Sequence, residues 1–398
     1  MRILCLCFFF EPDISAGSFK NSALVRELAS KLPDGGTVDV VTTMPNRYSS
    51  FSVEAKDLEQ IENIRIHRIL LPAHKSGMID QSFSFLNYAR GVLKIVRDQN
   101  YDLVYASSSR LMMSVLGAWI SRRKHIPLYL DMRDLFVDTI KDVLPGKFTA
   151  LAMPLFSLLE KWAVSRASCV NVVSGGFLPY FGSRYPDTNL SVFTNGIDQE
   201  FLDSAPRHSS LLDKPVLDVL YAGNFGEGQG LHHIIPQLAK HFEGNLRFIL
   251  IGAGGRLSQL RQAIEETDCR NVVIKDPIPR YALIEQYAQA DILFLHLNDF
   301  DAFKKVLPSK LFEYGALGKP IWAGVSGFPA EFIKGNLSNT AVFPPCDVAA
   351  AIEVFENLEI KVTPRFEFVE RYSRKRIIET MASEIISYAW TDAENLGV

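Results

Sequence analysis

Lys310 and Glu313 are three residues apart, so on a helix they would share one face. Lys310 would lie in the first turn, where the positive end of the helix dipole disfavours a cation unless an anion shares the site. A cation beside free helix amides, with a carboxylate one turn on, could hold a diphosphate and hydrogen-bond a ribose. The alternative is a surface ion pair on an ordinary helix, and this segment alone does not separate the two.

The residues that flank this pair predict the helix that would position it. Pro308 suits the start of a helix because it has no amide hydrogen to leave unpaired, and Ser309 can cap the first turn. Gly318 followed by Pro320 ends the helix. We therefore predict a short helix over residues 309–317, with its amino end at the phosphate.

Short apolar runs rich in β-branched residues alternate with amphipathic segments along the chain, which is typical of parallel sheets with crossover helices. A length of 398 residues suits two domains. We predict an α/β protein with two Rossmann-like, doubly wound parallel-sheet domains. The first spans 1–200 and is joined by the C-terminal helix, 370–398, and the second spans 201–369. Ligands would bind at the carboxyl ends of the strands, in a deep cleft between the domains.

The individual elements follow from the same periodicity, and a polar stretch bracketed by prolines, 203–215, predicts a linker. The predicted strands are 3–10, 37–42, 64–70, 103–107, 128–132, 169–173, 216–223, 246–252, 272–274, 292–297, 320–323 and 341–343. The predicted helices are 18–31, 83–99, 111–123, 148–165, 231–241, 255–267, 280–290, 309–317 and one long terminal run, 366–389.

Composition narrows the class of protein. The net charge of −3 lacks the basic bias of a nucleic-acid binder. Five cysteines, an odd number without framework or zinc spacing, indicate free thiols in a reducing compartment. The apolar run 3–10 is closed by Glu11-Pro12-Asp13 without a cleavage site, so we predict a buried strand rather than a signal peptide. A cytoplasmic protein is expected.

Three glycine loops follow predicted strands: one at Gly17, one at Gly223-Asn224, and one at Gly252 and Gly254. Glycine at such places lets backbone amides approach a ligand closely. None of the three is a complete dinucleotide fingerprint or a P-loop, and turns need glycine in any case. Two of the loops lie in the same half as Lys310, which favours a shared phosphate site.

In this order, these segments resemble the family 4 retaining glycosyltransferases, which have the GT-B fold. The resemblance covers nearly the whole chain and includes a subgroup that assembles O-antigen and capsule. The resemblance implies that this chain transfers a sugar from a UDP-sugar to a polyprenyl-diphosphate-linked acceptor, without a metal or cofactor. The features that carry it are the Gly17 loop, Asn195-Gly196-Ile197-Asp198, Gly223-Asn224, Gly252-Ala253-Gly254, Ala290-Asp291-Ile292, the 308–320 segment and Asp131-Met132-Arg133-Asp134-Leu135-Phe136.

The resemblance assigns roles to particular residues. Glu313 is the second Glu of the family's Glu-x7-Glu motif and would bind the donor ribose, and the Ile278 backbone would read uracil unless its loop is a simple proline-rich turn. Arg133 would meet the donor phosphate or an anionic acceptor, and Asp134 would orient an acceptor hydroxyl. The alternative for this pair is a helix cap with a local salt bridge. The predicted catalytic residues are Arg133, Asp134 and Lys310, and the predicted donor-binding residues are Gly17, Gly223, Asn224, Gln229, Gly252, Gly254, Ile278, Lys305, Ser309, Lys310 and Glu313.

The chain also departs from the family pattern. The first Glu of the motif falls at Lys305, and the places where the family often has Arg and Lys are near Glu227 and Gln229. The phosphate charge must therefore be met elsewhere. The candidates, in order, are Lys310, Lys305, Lys304 and Arg280.

Three questions stay open at this level. Asp299-Phe300-Asp301 has the form of a metal-binding motif but lies in the wrong place for this fold, so we expect a solvated loop and no metal. The segments 83–97 and 148–162 are apolar helices with cationic flanks that either pack in the core or rest on the inner face of the plasma membrane. A UDP-sugar 2-epimerase of the same fold and a non-catalytic nucleotide-sugar-binding scaffold are the alternative functions.

Overall fold

The computed structural model describes residues 1–13, 15–45, 55–71, 78–138, 146–203 and 214–395. The chain forms two compact units. The first contains Met1–Asn195 and Arg374–Val398, and the second contains Gly196–Ser373. The boundaries thus lie near residues 195 and 373, where 200 and 369 were predicted. Most of the predicted linker, residues 204–213, lies outside the described residues.

The first unit contains an eight-stranded sheet in the order β3-β4-β2-β1-β5-β6-β7-β8. Neighbouring strands are parallel except for β3 and β4, which pair antiparallel. The chain winds outward from β1 and returns to β5, so these two strands flank the point where the winding reverses. The strands are β1 (Arg2–Cys7), β2 (Thr37–Thr43), β3 (Leu58–Ile61), β4 (Ile64–Ile69), β5 (Leu103–Ser108), β6 (Leu128–Met132), β7 (Cys169–Val172) and β8 (Leu190–Val192).

The second unit contains a six-stranded parallel sheet in the order β11-β10-β9-β12-β13-β14. Here the winding reverses between β9 and β12, and ligands of such sheets bind at the carboxyl ends of the strands beside that point. The strands are β9 (Leu217–Asn224), β10 (Leu246–Ala253), β11 (Val272–Lys275), β12 (Ile292–His296), β13 (Ile321–Gly324) and β14 (Thr340–Phe343).

Helices connect the strands of both sheets, and α1 begins at Ser15, whose hydroxyl accepts a hydrogen bond from the Ser18 amide at 3.1 Å. The α-helices are α1 (Ala16–Lys31), α2 (Met78–Val96), α3 (Leu111–Lys124), α4 (Gly146–Val164), α5 (Leu178–Arg184), α6 (Gln199–Asp203), α7 (Leu231–His241), α8 (Leu257–Thr267), α9 (Arg280–Gln289), α10 (Lys310–Leu317), α11 (Phe328–Asn336), α12 (Val348–Phe355), α13 (Phe366–Tyr372) and α14 (Arg374–Asn395).

The prediction of one continuous terminal helix over 366–389 is wrong. The helix is interrupted at Ser373, whose backbone is not helical (φ −53°, ψ 125°) and forms an isolated β-bridge with Ile197. Helix α13 then belongs to the second unit and α14 to the first. The apolar positions of α14 recur every three or four residues, so they form one stripe that packs against α1. The stripe contains Ile378, Met381, Ala382, Ile385 and Ala389.

Each sheet is covered by apolar side chains, as parallel sheets require. In the second unit one cluster includes Leu311 and Phe312 of α10, and a cluster that contains Trp322 includes Ile234 and Leu238 of α7. All five cysteines are free thiols. Among the described residues, no helix combines the length and the apolar character that a bilayer crossing demands.

Candidate functional site

The amino end of α10 is open. Ser309 precedes the helix with helical backbone angles (φ −59°, ψ −30°), and its side chain makes no capping hydrogen bond, contrary to the capping role expected for it. The amide of Leu311 donates to the Pro308 carbonyl at 3.1 Å. Among the described residues, no acceptor receives the amides of Ser309 and Lys310. Two N–H donors and the positive end of the helix dipole are therefore available to an anion.

The side chain of Lys310 crosses from α10 to the end of β9. A side-chain carbon at Gly223 would lie 2.6 Å from Lys310 Cε and would also collide with Nζ. The ammonium lies 5.3 Å from the centre of the Tyr221 ring. Within the described part of the chain, Lys310 has no hydrogen-bond acceptor. Burial lowers the pKa of Lys310, and the neighbouring Glu313 carboxylate acts in the opposite direction.

Glu313 lies one turn further along α10, and Tyr287 of α9 donates a hydrogen bond to its Oε2 at 3.2 Å. Burial raises the pKa of Glu313 against the opposing influence of Lys310 and Arg280. Arg280 itself is held by ion pairs with Asp198 and Glu200, the latter at 2.5 Å. The carboxylate that the sequence assigns to the ribose is thus fixed by a buried tyrosine.

The glycine loops of the second unit pack on one another. Gly223 and Gly252 pair across β9 and β10, with φ of +149° and +151°. A side-chain carbon at Gly252 would strike the Gly223 carbonyl oxygen, and one at Gly254 would lie 2.6 Å from the Phe225 amide nitrogen. Gly252 and Gly254 therefore let β10 and the loop after it approach the β9 end closely, which sets the position of Gly223 under Lys310.

The Gly252→Ala variant is predicted to lose on the order of 3 kcal/mol of the free energy of unfolding, because alanine is strained at this φ and collides with Gly223. Gly255→Ala is the matched control, since its φ is not in the left-handed region and no atom lies within 4 Å of the added carbon. We expect the control to change stability by less than about 0.5 kcal/mol. Urea denaturation of both variants measures the difference, and equal losses would contradict this account.

Asn224 and Gln229 form the rim of this loop. Asn224 Nδ2 donates to Gln229 Oε1 at 3.0 Å, and the amide of Gly226 donates to the same oxygen at 3.2 Å. His296, at the end of β12, bonds the Gln229 carbonyl through Nδ1 at 2.7 Å, and its Nε2 accepts from the Cys346 amide. These partners require a neutral imidazole, and burial lowers the pKa of His296 to about 4. The loop is therefore fixed from both sides.

Two of the other lysine and arginine candidates for binding the phosphate are already paired with carboxylates. Lys304 pairs with Asp301 at 2.8 Å and with Asp299 at 3.7 Å, and Arg280 is held by its two acidic partners. The Asp-x-Asp motif is accordingly an ion-paired loop. Lys305, where the family has its first Glu, is partly buried, and its amide donates to Ala302.

The remaining predicted residues of the second unit lie at the edge of this region. Ile278 is partly buried between β11 and α9 and packs on the core cluster of α10. Glu227 forms an ion pair with Arg256. In the described part of the chain, one group of side chains has metal-ligand composition: Glu227, His232 and His233, with ligand atoms within 4.8 Å of one another. Because Arg256 already contacts the Glu227 carboxylate, we assign this group no role.

In the first unit, a buried carboxylate collects four donors at the ends of the strands. Asp131, fully buried near the end of β6, accepts from Lys20 at 3.0 Å and Asn171 at 2.5 Å on Oδ1. Its Oδ2 accepts from Tyr105 at 3.0 Å and Arg133 at 3.3 Å. Although burial alone would raise it, Lys20 and Arg133 hold the pKa of Asp131 below its usual range. Asp131 is therefore an anion in the folded protein.

The predicted residues of the first unit lie around this network. Arg133 reaches from Asp131 to Asn195 Oδ1, at 2.7 Å from Nη2. Its Nε lies 3.5 Å from the position that a side-chain carbon of Gly17 would take, in the first turn of α1. Asp134 is exposed. The structure thus brings Arg133 to the Gly17 loop, and Asp134 stays at the surface beside it.

Sequence reasoning missed Lys20 and Tyr287. A signal for Lys20 was present, because it lies four residues before Leu24 and eight before Leu28, on the face of α1 that is buried. A lysine in an apolar stripe needs an anionic partner. Tyr287 carried no comparable signal, because its contact with Glu313 depends on how α9 and α10 pack.

The Asp131→Asn variant is predicted to lose about 3–5 kcal/mol of the free energy of unfolding, because Lys20 and Arg133 would then be close together without an anion. Asp268→Asn is the control, since Asp268 is 76% exposed and its contact with Arg270 is 3.9 Å long. We expect it to change stability by less than about 0.5 kcal/mol. Guanidinium denaturation monitored by circular dichroism compares the two, and a stable Asp131→Asn protein would show that the network is not ionised as described.

Two family sequence models match the chain in succession. The one described as Glycosyl transferase 4-like domain matches residues 22–196, and the one described as Glycosyl transferases group 1 matches residues 205–375. Together they cover most of both structural units. The chain therefore belongs to these glycosyl transferase families, and it has the GT-B fold.

Known proteins agree with this class. A segment is 30% identical over 100 residues to WcaI of Escherichia coli (strain K12), a protein named for a glycosyl transferase role in colanic acid biosynthesis; it spans 25% of this chain and 24% of WcaI. Sucrose-phosphate synthase from Thermosynechococcus elongatus has the same fold, with a TM-score of 0.69 at 13% identity, over 100% of this chain and 98% of that one. HepE of Anabaena, solved with UDP and glucose, has a TM-score of 0.62 at 17% identity, over 100% and 99%.

Proposed function

We propose that this chain transfers a sugar, with retention and without a metal ion, from a UDP-sugar to a polyprenyl-diphosphate-linked acceptor in bacterial surface-polysaccharide synthesis. An N-acetylated amino or deoxy sugar, such as N-acetylfucosamine, is the proposed cargo. The reaction would take place at the inner face of the plasma membrane. The observation that carries the proposal is the Lys310 ammonium, which lies over Gly223 at the open end of α10 without a hydrogen-bond acceptor among the described residues.

The positive charge at the start of α10 supports a nucleoside-diphosphate sugar as the donor. Cleavage of the bond between sugar and phosphate leaves a nucleoside diphosphate with one more negative charge, so the site must place donors there beforehand. Lys310 supplies a cation and α10 supplies two amides, which is the role a metal ion has in other sugar transferases. Glu313 would accept from the ribose hydroxyls. The solved structure of HepE with UDP and glucose, although only 17% identical, supports a uridine nucleotide as the donor.

Retention is proposed because the donor phosphate itself can take the proton from the acceptor hydroxyl as the bond to the sugar breaks. The new bond then forms on the face from which the leaving group departs. No carboxylate nucleophile is needed in this scheme, so the chain does not need the paired carboxylates of a retaining glycosidase.

The lipid-linked acceptor is supported by the outer face of α2. Phe83 is 62% exposed and Leu86 is 47% exposed. Arg90, Lys94 and Arg97 follow them along the chain and are also exposed. Apolar side chains next to cations suit the surface of an anionic bilayer. This face would place the first unit where a polyprenyl-linked acceptor is presented.

Helix α4 offers a second such face, since Leu155 and Leu158 are 57% and 63% exposed. The residues that precede this helix, 139–145, lie outside the described residues. The WcaI relative supports the polysaccharide context, because its name places it in colanic acid biosynthesis.

The function is tested by incubating the protein with a panel of UDP-sugars and a synthetic prenyl-diphosphate-linked sugar, with and without EDTA. We expect product only when donor and acceptor are both present, equal rates with EDTA, and an unchanged anomeric configuration by NMR. Conversion of a UDP-sugar without acceptor would indicate an epimerase. Binding of UDP-sugars without any turnover would indicate a scaffold.

A further inference from the structure

Lys20 of α1 is a buried cation that the proposed mechanism does not use. Its side chain is fully buried, and its ammonium donates to Asp131 Oδ1 at 3.0 Å and to the Phe193 carbonyl at 2.8 Å. Placing a charge where water cannot reach it is unfavourable unless its partners compensate. The packing of α1 therefore does not explain why a lysine is buried at position 20.

Neutralisation of Asp131 does not explain the burial of Lys20 either. Asp131 already accepts from Arg133, Tyr105 and Asn171, and Arg133 alone would balance its charge. Lys20 adds a second cation to one carboxylate, which leaves the group with one net positive charge. An anion at the carboxyl ends of the strands would be attracted to this excess positive charge.

The contacts of Arg133 show what Lys20 controls. Nη1 of Arg133 donates to Oδ2 of Asp131 at 3.3 Å, while Nη2 donates to Asn195 Oδ1 at 2.7 Å. Lys20 and Asn171 both donate to Oδ1, on the other side of the carboxylate. An arginine next to a free carboxylate prefers to bond both oxygens with two parallel hydrogen bonds. With Lys20 and Asn171 filling both acceptor positions of Oδ1, Arg133 does not make that arrangement, and its guanidinium lies against the Gly17 loop.

We propose that Lys20 is a positioning residue that keeps Arg133 from closing onto both oxygens of Asp131, so that the guanidinium is available to a diphosphate group. This inference rests on the proposed function. The diphosphate belongs either to the UDP-sugar or to the prenyl-linked acceptor, and the two sources share the same chemistry. They differ in one respect, because the donor diphosphate gains charge as the sugar leaves and the acceptor diphosphate does not.

The test compares steady-state transfer by the wild type and by Lys20→Met, with Lys31→Met of the same helix as control, since Lys31 pairs with Glu27 near the surface. We expect Lys20→Met to lose about tenfold in kcat/KM and the control less than twofold. A fall in kcat assigns the diphosphate to the donor, and a rise in the acceptor KM at constant kcat assigns it to the acceptor. Wild-type kinetics in Lys20→Met would overturn the inference.

A double-mutant cycle with Arg133→Met separates positioning from general damage. If Lys20 acts through Arg133, adding Lys20→Met to Arg133→Met lowers the rate by less than about twofold further. Independent, multiplied losses would overturn the inference. Lys20→Gln is predicted to lose less kcat/KM than Lys20→Met, and this loss should also disappear in the Arg133→Met background. If Lys20→Met does not fold, Lys20→Gln is used in its place. An inactive wild type would instead refute the proposed function itself.

Discussion

The Lys310→Ala variant is expected to lose about 10²–10³-fold in kcat/KM for sugar transfer, because the cation faces the diphosphate where negative charge develops. The fold should be unaffected. Burial lowers the pKa of Lys310, so the folded protein disfavours its charged form, and the cation opposes folding at neutral pH. We therefore expect the free energy of unfolding to stay constant or rise when the charge is removed.

The control for this variant is Lys240→Ala, because Lys240 lies in the same unit on the surface and pairs with Glu243 at 3.2 Å. It should keep wild-type kinetics.

The pH dependence of UDP binding gives a second check on Lys310. The neutral amine of Lys310 does not attract an anion as the ammonium does, so affinity for UDP should decline as the pH rises, beginning below the range of an ordinary lysine. Full activity of Lys310→Ala, or a decline in UDP affinity that persists in it, would remove Lys310 from the site.

The Glu313→Gln variant is expected to bind UDP about tenfold more weakly, because the carboxylate is assigned to the ribose hydroxyls and charged acceptors form the stronger hydrogen bonds. Calorimetry with UDP and with its 2′- and 3′-deoxy analogues gives a specific readout. The wild type should discriminate against at least one analogue, and Glu313→Gln should lose that discrimination. A variant that still discriminates would place the ribose elsewhere.

Protonation provides a check on the same residue. Burial raises the pKa of Glu313, so the carboxylate takes up a proton at a higher pH than an ordinary glutamate. Affinity for UDP should therefore weaken as the pH falls, beginning above the usual glutamate range, and Glu313→Gln should lack this dependence. Glu331→Gln is the control, since Glu331 lies in the first turn of another helix of the same unit, α11.

The predicted fold class is confirmed, and the reason is that its signals are local. Strands such as β13, with all four residues buried, are apolar runs that need no tertiary information to recognise. Strand β3 lacks that signal, because Leu58 is 57% exposed and the strand forms the antiparallel edge of its sheet. The break at Ser373 was missed for a different reason: helix-forming residues continue on both sides, and only the bridge to Ile197 interrupts them.

In the candidate site too, local features could be predicted from the sequence and contacts between distant residues could not. Lys310, Glu313 and the glycines were identified from spacing within one segment or one loop. The contact of Lys310 with Gly223, the hydrogen bond of Tyr287 to Glu313, and the Lys20 ion pair join residues far apart in the chain. Such pairings depend on sheet order and helix packing, which a single sequence does not specify. For this reason the neutralisation of Arg280 by Asp198 and Glu200 could not be foreseen. The pairing of Lys304 with Asp299 and Asp301 is local, so the sequence did contain a signal for it.

The central claim is that α10 and Lys310 bind a diphosphate, and a crystal structure of the protein with UDP tests it most directly. The account predicts the diphosphate within hydrogen-bond distance of Lys310 Nζ and the amides of Ser309 and Lys310, with the ribose against Glu313. A diphosphate held elsewhere, with Lys310 still over an unoccupied Gly223, would contradict it.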